Sequence, residues 1–279
     1  MGPSQRGPRR DGLGYRPRRR ILLASDLHFT LPHLDWIATR AEAFDAVALA
    51  GDHLDIVSPV DLTAQIVAMR TSLAALAGRT QLLIASGNHD LNTRNPAGEK
   101  TSDWLAPLRD AGAAVDGDTL EVAGTCCTVL EWWDGPHARA QVEAQLAAAA
   151  TDVGERPWIW VYHSPPHGPL AWTGTRHYGD PVVAEWIARW RPTAVLTGHI
   201  HQAPFTREGA WVERIEGTWL FNAGKQHRPT PSHIELDLAR GLARWVSYQG
   251  VAERDLTGAS GLQTRPAAPS GGDAAAPRQ

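Results

Sequence analysis

Five short apolar runs in this 279-residue chain each stop at residues able to bind a metal ion. RILLAS (20–25) leads into DLH, AVALA (46–50) into GDHLD, and QLLIA (81–85) into SGNHD. WIWVY (158–162) leads into HSPP, and TAVLT (193–197) into GHIH. Nearly continuous apolar strands of this length suit sheet positions covered on both faces. A surface turn needs Gly and Asn, but has no use for an imidazole and a carboxylate beside them. A chain that repeats this pattern must bring its strand ends together.

Helical segments lie between the strands. Ser58 reads as an N-cap with Pro59 at the first helical position, opening a helix to about residue 77. Asp180-Pro181 repeats the device before a helix over 182–190, and residues 34–44, 102–111 and 137–150 also read as helices. Alternating strand and helix argues for an α/β layered fold. Residues 119–133 and a hairpin of 234–238 with 242–248, turning at Arg240-Gly241, read as antiparallel. A mixed sheet, or two packed sheets with helices outside, is expected.

The two ends differ from the body. Residues 1–19 are rich in Gly, Pro and Arg, and residues 257–279 in Ala, Pro, Gly and Ser. Neither can bury enough surface to offset chain entropy, so both are expected to be disordered. About 235 residues remain, enough for one large core. The net charge of −3 hides seven Arg among the first twenty residues. Residues 21–255 hold 18 Lys and Arg against 28 Asp and Glu. This acidic body weighs against nucleic acid as a partner, while the Arg-rich leader weighs slightly for a polyanion. An acidic protein acting on anions needs another source of positive charge, such as metal ions. The only cysteines, Cys126 and Cys127, are adjacent, which fits a reduced, cytoplasmic setting. No apolar run approaches the length of a membrane span, and no signal-peptide stretch precedes Ile21.

In open α/β sheets, ligands collect beyond the carboxyl ends of the strands. The candidates there are Asp26, His28, Asp52, Asn88, His163, His199 and His201. Carboxylate, imidazole and amide without thiolate favour Mn, Fe, Co or Zn. Gly51, Gly87 and Gly198 allow sharp turns and close approach. Seven donors exceed what one tetrahedral ion uses, which implies two ions sharing a bridging carboxylate. A lone DxH or GxH arises by chance; all five in this order, each after a strand, are specific.

DLH, GDHLD, GNHD, HSPP and GHIH together resemble the signature of the calcineurin-like metallophosphoesterases, over about residues 20–250. The resemblance implies a four-layered α/β/β/α sandwich with two mixed sheets, spanning 20–256, and a dinuclear metal site at the strand ends. It implies two divalent or trivalent ions (Mn, Fe, Zn or Co, with Mn first) and a small phosphate-ester substrate. Asp26, His28 and His201 would hold one ion, Asn88, His163 and His199 the other, and Asp52 would bridge them. A hydroxide between the ions would be the nucleophile, with His89 beside the phosphate as the catalytic acid. Two cations neutralise phosphate charge and lower the pKa of bound water, and only a carboxylate offers two anionic oxygens for bridging. A histidine that is not a ligand is free to protonate a leaving oxygen.

Asp55 and Asp90 are expected either to orient histidines or to serve turns and caps. His53 and His167 read as bystanders or rim residues. Asn222-Ala223-Gly224, after a strand at 219–221, resembles a structural turn of the family. The loop 164–179, with Trp172, Arg176, His177 and Tyr178, and the pair Trp132-Trp133 are candidates for shaping a substrate pocket. The GDP-helix-RP-strand-GHIHQ order resembles small stand-alone bacterial phosphoesterases. The expected activity is phosphodiester hydrolysis. The alternatives are a monoesterase or nucleotide pyrophosphatase, or a catalytically silent binding module on the same fold.

Overall fold

The structure is a computed structural model that describes residues 19–258. The expected disorder of the leader and tail therefore lies outside the described residues, but for Arg19, Thr257 and Gly258. Along the chain come β1 (Arg20–Ala24), α1 (Leu31–Arg40), β2 (Ala46–Ala50), α2 (Leu62–Ala77) and β3 (Gln81–Ala85). A small hairpin follows, β4 (Thr93–Arg94) and β5 (Lys100–Thr101), then β6 (Ala114–Val115). The second half opens with β7 (Thr119–Val122), β8 (Thr125–Val129), α3 (Pro136–Asp152) and β9 (Trp158–Val161). It continues with α4 (Pro181–Trp190), β10 (Ala194–Thr197), β11 (Val212–Ile215) and β12 (Thr218–Asn222). The meander β13 (His233–Asp237), β14 (Leu242–Ser247) and β15 (Gly250–Asp255) returns to the first sheet.

Among the described residues, one seven-stranded sheet has the order β15-β14-β13-β1-β2-β3-β6, and one six-stranded sheet the order β11-β12-β10-β9-β8-β7. In the first sheet β1, β2, β3 and β6 run parallel and β13, β14 and β15 form an antiparallel edge; in the second, a parallel centre has an antiparallel strand at each edge. Side-chain alternation explains the layers. Ile21 and Leu23 of β1 meet Ile159 and Val161 of β9 between the sheets, whereas Leu22 and Ala24 pack against α1 and α2. Trp158 and Trp160 face the other way, onto α3 and α4. The result is the α/β/β/α sandwich that the motifs imply. It also explains why the parallel strands read as unbroken apolar runs.

Several element boundaries differ from expectation for local reasons. Helix α2 begins at Leu62, because Asp61 caps it by accepting from the Thr63 and Ala64 N–H groups at 2.9 and 3.4 Å. Ser58 instead closes a tight turn by accepting from Val60 N at 3.1 Å. Residues Asp103–Ala111 form a 3-10 helix around Pro107 rather than an α-helix, ending at the left-handed Gly112. Residues 119–129 pair antiparallel as β7 and β8, as expected, but the ladder stops at Val129, and Trp132 N donates to Ser86 Oγ beyond β3 at 2.9 Å. Helix α3 has no cap of its own. Glu99, carried by the β4–β5 hairpin, accepts from His137 N and Ala138 N, both at 2.7 Å. No helix among the described residues is long and apolar enough to cross a membrane.

The register runs Arg20↔Asp237, Asp237↔Leu242 and Leu242↔Asp255, so both ends of the described chain leave the first sheet at the start of β1. The cap assignment predicts that Asp61→Ala lowers unfolding free energy by about 1 kcal/mol, with Ser58→Ala much closer to neutral. Urea titration of the two variants would show the reverse order if Ser58 were the cap.

Candidate metal centre

The parallel strands of both sheets end at one pole, and all the candidate donors follow there. The first sheet delivers Asp26 and His28 after β1, Asp52 after β2, and Asn88 and His89 after β3. The second delivers His163 after β9, and His199 and His201 after β10. The left-handed region is uncommon for residues other than glycine, yet Asp26, His28, Asp52 and His199 occupy it at φ 55°, 43°, 56° and 68°. These turns swing side chains off the strand ends into one cluster.

Backbone bonds fix the turns. Asp26 N donates to Gly51 O at 3.0 Å, His28 N to Asp52 O at 2.9 Å, and Gly198 N to His163 O at 2.9 Å. The sheets are then tied to each other, since His163 Nδ1 lies 2.7 Å from Ala50 O and His199 N donates to Asp26 Oδ1 at 3.0 Å. Close approach accounts for two of the glycines. A Cβ on Gly87 would overlap Asp52 Oδ1, and one on Gly51, at φ 86°, would overlap the His163 ring.

The donors fall into two sets that share one carboxylate. Asp26, His28, Asp52 and His201 offer atoms within 4.8 Å of one another, and so do Asp52, His163 and His199. Asp52 Oδ2 lies 3.2 Å from His163 Nε2 and 3.5 Å from His28 Nε2, while Asp26 Oδ1 lies 3.2 Å from His201 Nε2. His28 Nε2 and His201 Nε2 face each other at 3.1 Å, a contact that needs a proton or a cation between two nitrogen lone pairs. Asn88 Oδ1 is buried and accepts no hydrogen bond among the described residues. Two sets of convergent O and N donors, a shared carboxylate and an orphaned amide oxygen fit a pair of metal ions.

Electrostatics separates the imidazoles. Burial pushes the Asp26 carboxyl up, but the hydrogen bond and charge of His201 outweigh it, leaving it well below the usual range. Asp52 is likewise raised by burial and brought lower by His163. Burial alone would lower His163, yet Asp52 and then Asp26 raise it to about 9. His28 is pushed down to about 4 by burial against the pull of Asp26 and Asp52. His199 is also pushed to about 4, by burial and by His163.

The surrounding residues divide. His89 sits over His28 with ring centroids 4.5 Å apart, and its Nε2 lies 4.0 Å from Asp52 Oδ2. Asp55 closes a turn onto Val57 N at 3.1 Å, the turn role expected of it, and also offers an oxygen within 4.8 Å of His28 and His89 donors. Asp90 is fully buried and accepts from His53 N, Leu54 N and Gly87 N at 2.8–3.0 Å, fastening the Asp52 turn to the Asn88 turn. His53 is wholly buried against Asp90 at 2.9 Å, not at the rim; His167 is exposed.

Trp132 lies against His199 and His163 at 5.3 and 5.6 Å, whereas Trp133 stacks on Tyr162 in the α4 layer. The 164–179 loop packs on itself: His177 lies 4.8 Å from both His167 and Trp172, and Arg176 covers Tyr178. Sequence reasoning missed Ser25, whose hydroxyl donates to Asp26 Oδ2 at 2.6 Å, and Lys225, which follows the Asn222 turn. Neither carries a local signal, because both act through contacts distant in the chain or invisible in its pattern.

The sequence profile described as calcineurin-like phosphoesterase matches residues 19–203. No curated protein matches the chain. Among solved structures, TT1561 of Thermus thermophilus is 16% identical with a TM-score of 0.52, covering 85% of this chain and 98% of that one. Yfce, a phosphoesterase from E. coli, is 14% identical at a TM-score of 0.42, with 85% and 98% covered. With the match to its sequence profile covering well over half its length, the chain belongs to the calcineurin-like phosphoesterase family and is a metal-dependent phosphoesterase.

Proposed function

We propose that this protein is a phosphodiesterase in which Asp26, His28 and His201 hold one ion, Asn88, His163 and His199 a second, and Asp52 both. The observation that carries the two-ion part of this reading is that Asp52 belongs to both donor sets. When bound, the ions would supply Lewis acidity and lower the pKa of the attacking water. The thiolate-free donor set supports Mn, Fe, Co or Zn, with Mn first.

The protein's own groups do the rest. Ser25 and the His199 N–H hold the Asp26 carboxylate in one orientation. His89 N donates to Asp52 Oδ1 at 2.9 Å, which fixes the shared carboxylate and places the His89 ring beside it. In this reading that ring protonates the oxygen that leaves, as an alkoxide requires. Retention of His89 together with all seven donors supports an enzyme over a silent module. The buried, unpaired Cys126 and Cys127 support a cytoplasmic setting. Hydrolysis of bis(4-nitrophenyl) phosphate with added Mn²⁺ tests the reading directly, and no turnover with any of the four metals would sink it.

Three outcomes are expected. Metal ligation needs a neutral imidazole, and His163 in the metal-free protein is protonated below about pH 9. Metal uptake at pH 7 should therefore release about one proton more from the wild type than from His163→Asn. Affinity should rise with pH toward 9, and the difference in protons should vanish above it. Calorimetry in buffers of different ionisation enthalpy measures the count.

Asp52→Ala should lose both ions, whereas Asn88→Ala should weaken one. Elemental analysis finding two tight ions in Asp52→Ala would refute the shared role.

His89→Ala should keep both ions and lose activity toward roughly 10²–10⁴-fold on alkyl or nucleotide diesters, and clearly less on nitrophenyl esters. Equal losses across leaving groups would assign His89 to charge stabilisation instead.

A further inference from the structure

The body of this protein is acidic, yet one cation stands at the metal centre with no partner of its own. Lys225 follows β12 through the turn Asn222-Ala223-Gly224. Asn222 Nδ2 donates to Ile200 O at 3.1 Å, Gly224 N to Asn222 Oδ1 at 2.8 Å, and Lys225 N to His201 O at 3.2 Å. The turn that carries Lys225 is thus fastened to the backbone of His201 itself. Gly224 is left-handed at φ 67°, and a Cβ there would press on Pro204 and His201 O, so the turn cannot slide away. Beyond Lys225, Ser232 Oγ donates to Gly224 O and Gln226 Oε1 accepts from Tyr248 N, both at 2.8 Å. The position is built, not a surface accident.

Its ammonium is half-buried and forms no ion pair or hydrogen bond among the described residues. It lies within the electrostatic reach of Asp26, Asp55 and Asp52, and of His28. A half-buried lysine lays its stem along the protein and keeps its charged head accessible, so this ammonium is available to an anion at the centre. Two divalent ions would more than offset Asp26 and Asp52, so Lys225 is surplus to neutralising the loaded site. Its charge is left for an incoming anion. The ions would offset the single charge of a phosphodiester, which leaves Lys225 for another negative group on the same molecule.

Resting on the phosphodiesterase reading above, we infer that Lys225 binds a second anionic group of the substrate, remote from the scissile phosphorus. The preferred substrates are then phosphodiesters that carry an additional phosphate or carboxylate. Arg would serve in its place, and an apolar residue of similar length would not.

The test compares thymidine 5′-(4-nitrophenyl phosphate) with the same ester bearing a 3′-phosphate, so that bond and leaving group stay constant. Wild-type protein should favour the 3′-phosphorylated ester by roughly tenfold in kcat/KM, mostly through KM. The ratio should shrink as salt rises. Lys225→Met should bring it toward one with metal content unchanged, while Lys225→Arg should keep most of it. Calorimetry of thymidine 3′,5′-bisphosphate against thymidine 5′-phosphate, on the metal-loaded protein, should show the same difference and its loss in Lys225→Met. Equal efficiency of wild type on both esters, or full discrimination by Lys225→Met, would overturn the inference. So would a charge preference seen only for 4-nitrophenyl phosphate, which would put the second charge on the scissile phosphorus. If neither diester is hydrolysed, the phosphodiesterase reading fails, and the calorimetric comparison still decides the role of Lys225.

Discussion

Two carboxylates, Asp26 and Asp52, are buried in one cluster at 0 and 2% exposure, and the rest of this pole is arranged around keeping them ionised. An ionised carboxylate taken out of water is tolerated only beside cations and donors, and two together repel each other. The fold answers by dividing the groups between its sheets. Both acids come from the first sheet, whereas His163, His199 and His201 come from the second. Attraction between the two sets therefore acts across the layer interface, adding directional contacts to the close-packed apolar layers beneath. His163 shows the balance: it touches Asp52 through one nitrogen and the Ala50 carbonyl through the other.

The same demand explains the backbone. Strands deliver side chains alternately to two faces, neither of which points along the strand axis. A donor set that must gather beyond the strand ends needs turns that ordinary residues avoid. Four of the donor positions accept a left-handed conformation, and each such position costs of order 1–3 kcal/mol. The interleaved layers beneath, with Leu23, Ile159 and Leu196 fully buried between the sheets, hold those turns in place. Asp90 adds a local brace, since one carboxylate fastens the second and third strand-end turns together.

How much of this is legible in the chain follows from where each signal resides. The parallel strands announce themselves because both of their faces are covered, so apolarity is unbroken, and their donors follow at once. Helix α4 is legible because Asp180 and Pro181 act locally. The start of α2 misleads because Ser58 and Asp61 are both good caps, and only the geometry shows which hydroxyl or carboxylate meets the helix. Strand β15 escapes notice since GVAERD is a polar, exposed edge whose charges suit solvent better than a sheet interior. His53 reads as a bystander or rim residue, and its burial escapes notice because its partner Asp90 is 37 residues away. Glu99 as the cap of α3 and Lys225 beside His201 are likewise contacts between distant segments, which no local pattern encodes.

The shared register of β1, β13, β14 and β15 has a consequence for how the molecule meets its surroundings. Arg20 and Asp255 stand at one pole and the donors at the other, separated by a strand of five residues, about 16 Å. Whatever is joined at either side of the described chain is joined at the base, with the catalytic mouth facing away. A surface, a bead or a second protein joined directly at Arg19 or Gly258 would meet the domain on the side away from its donors.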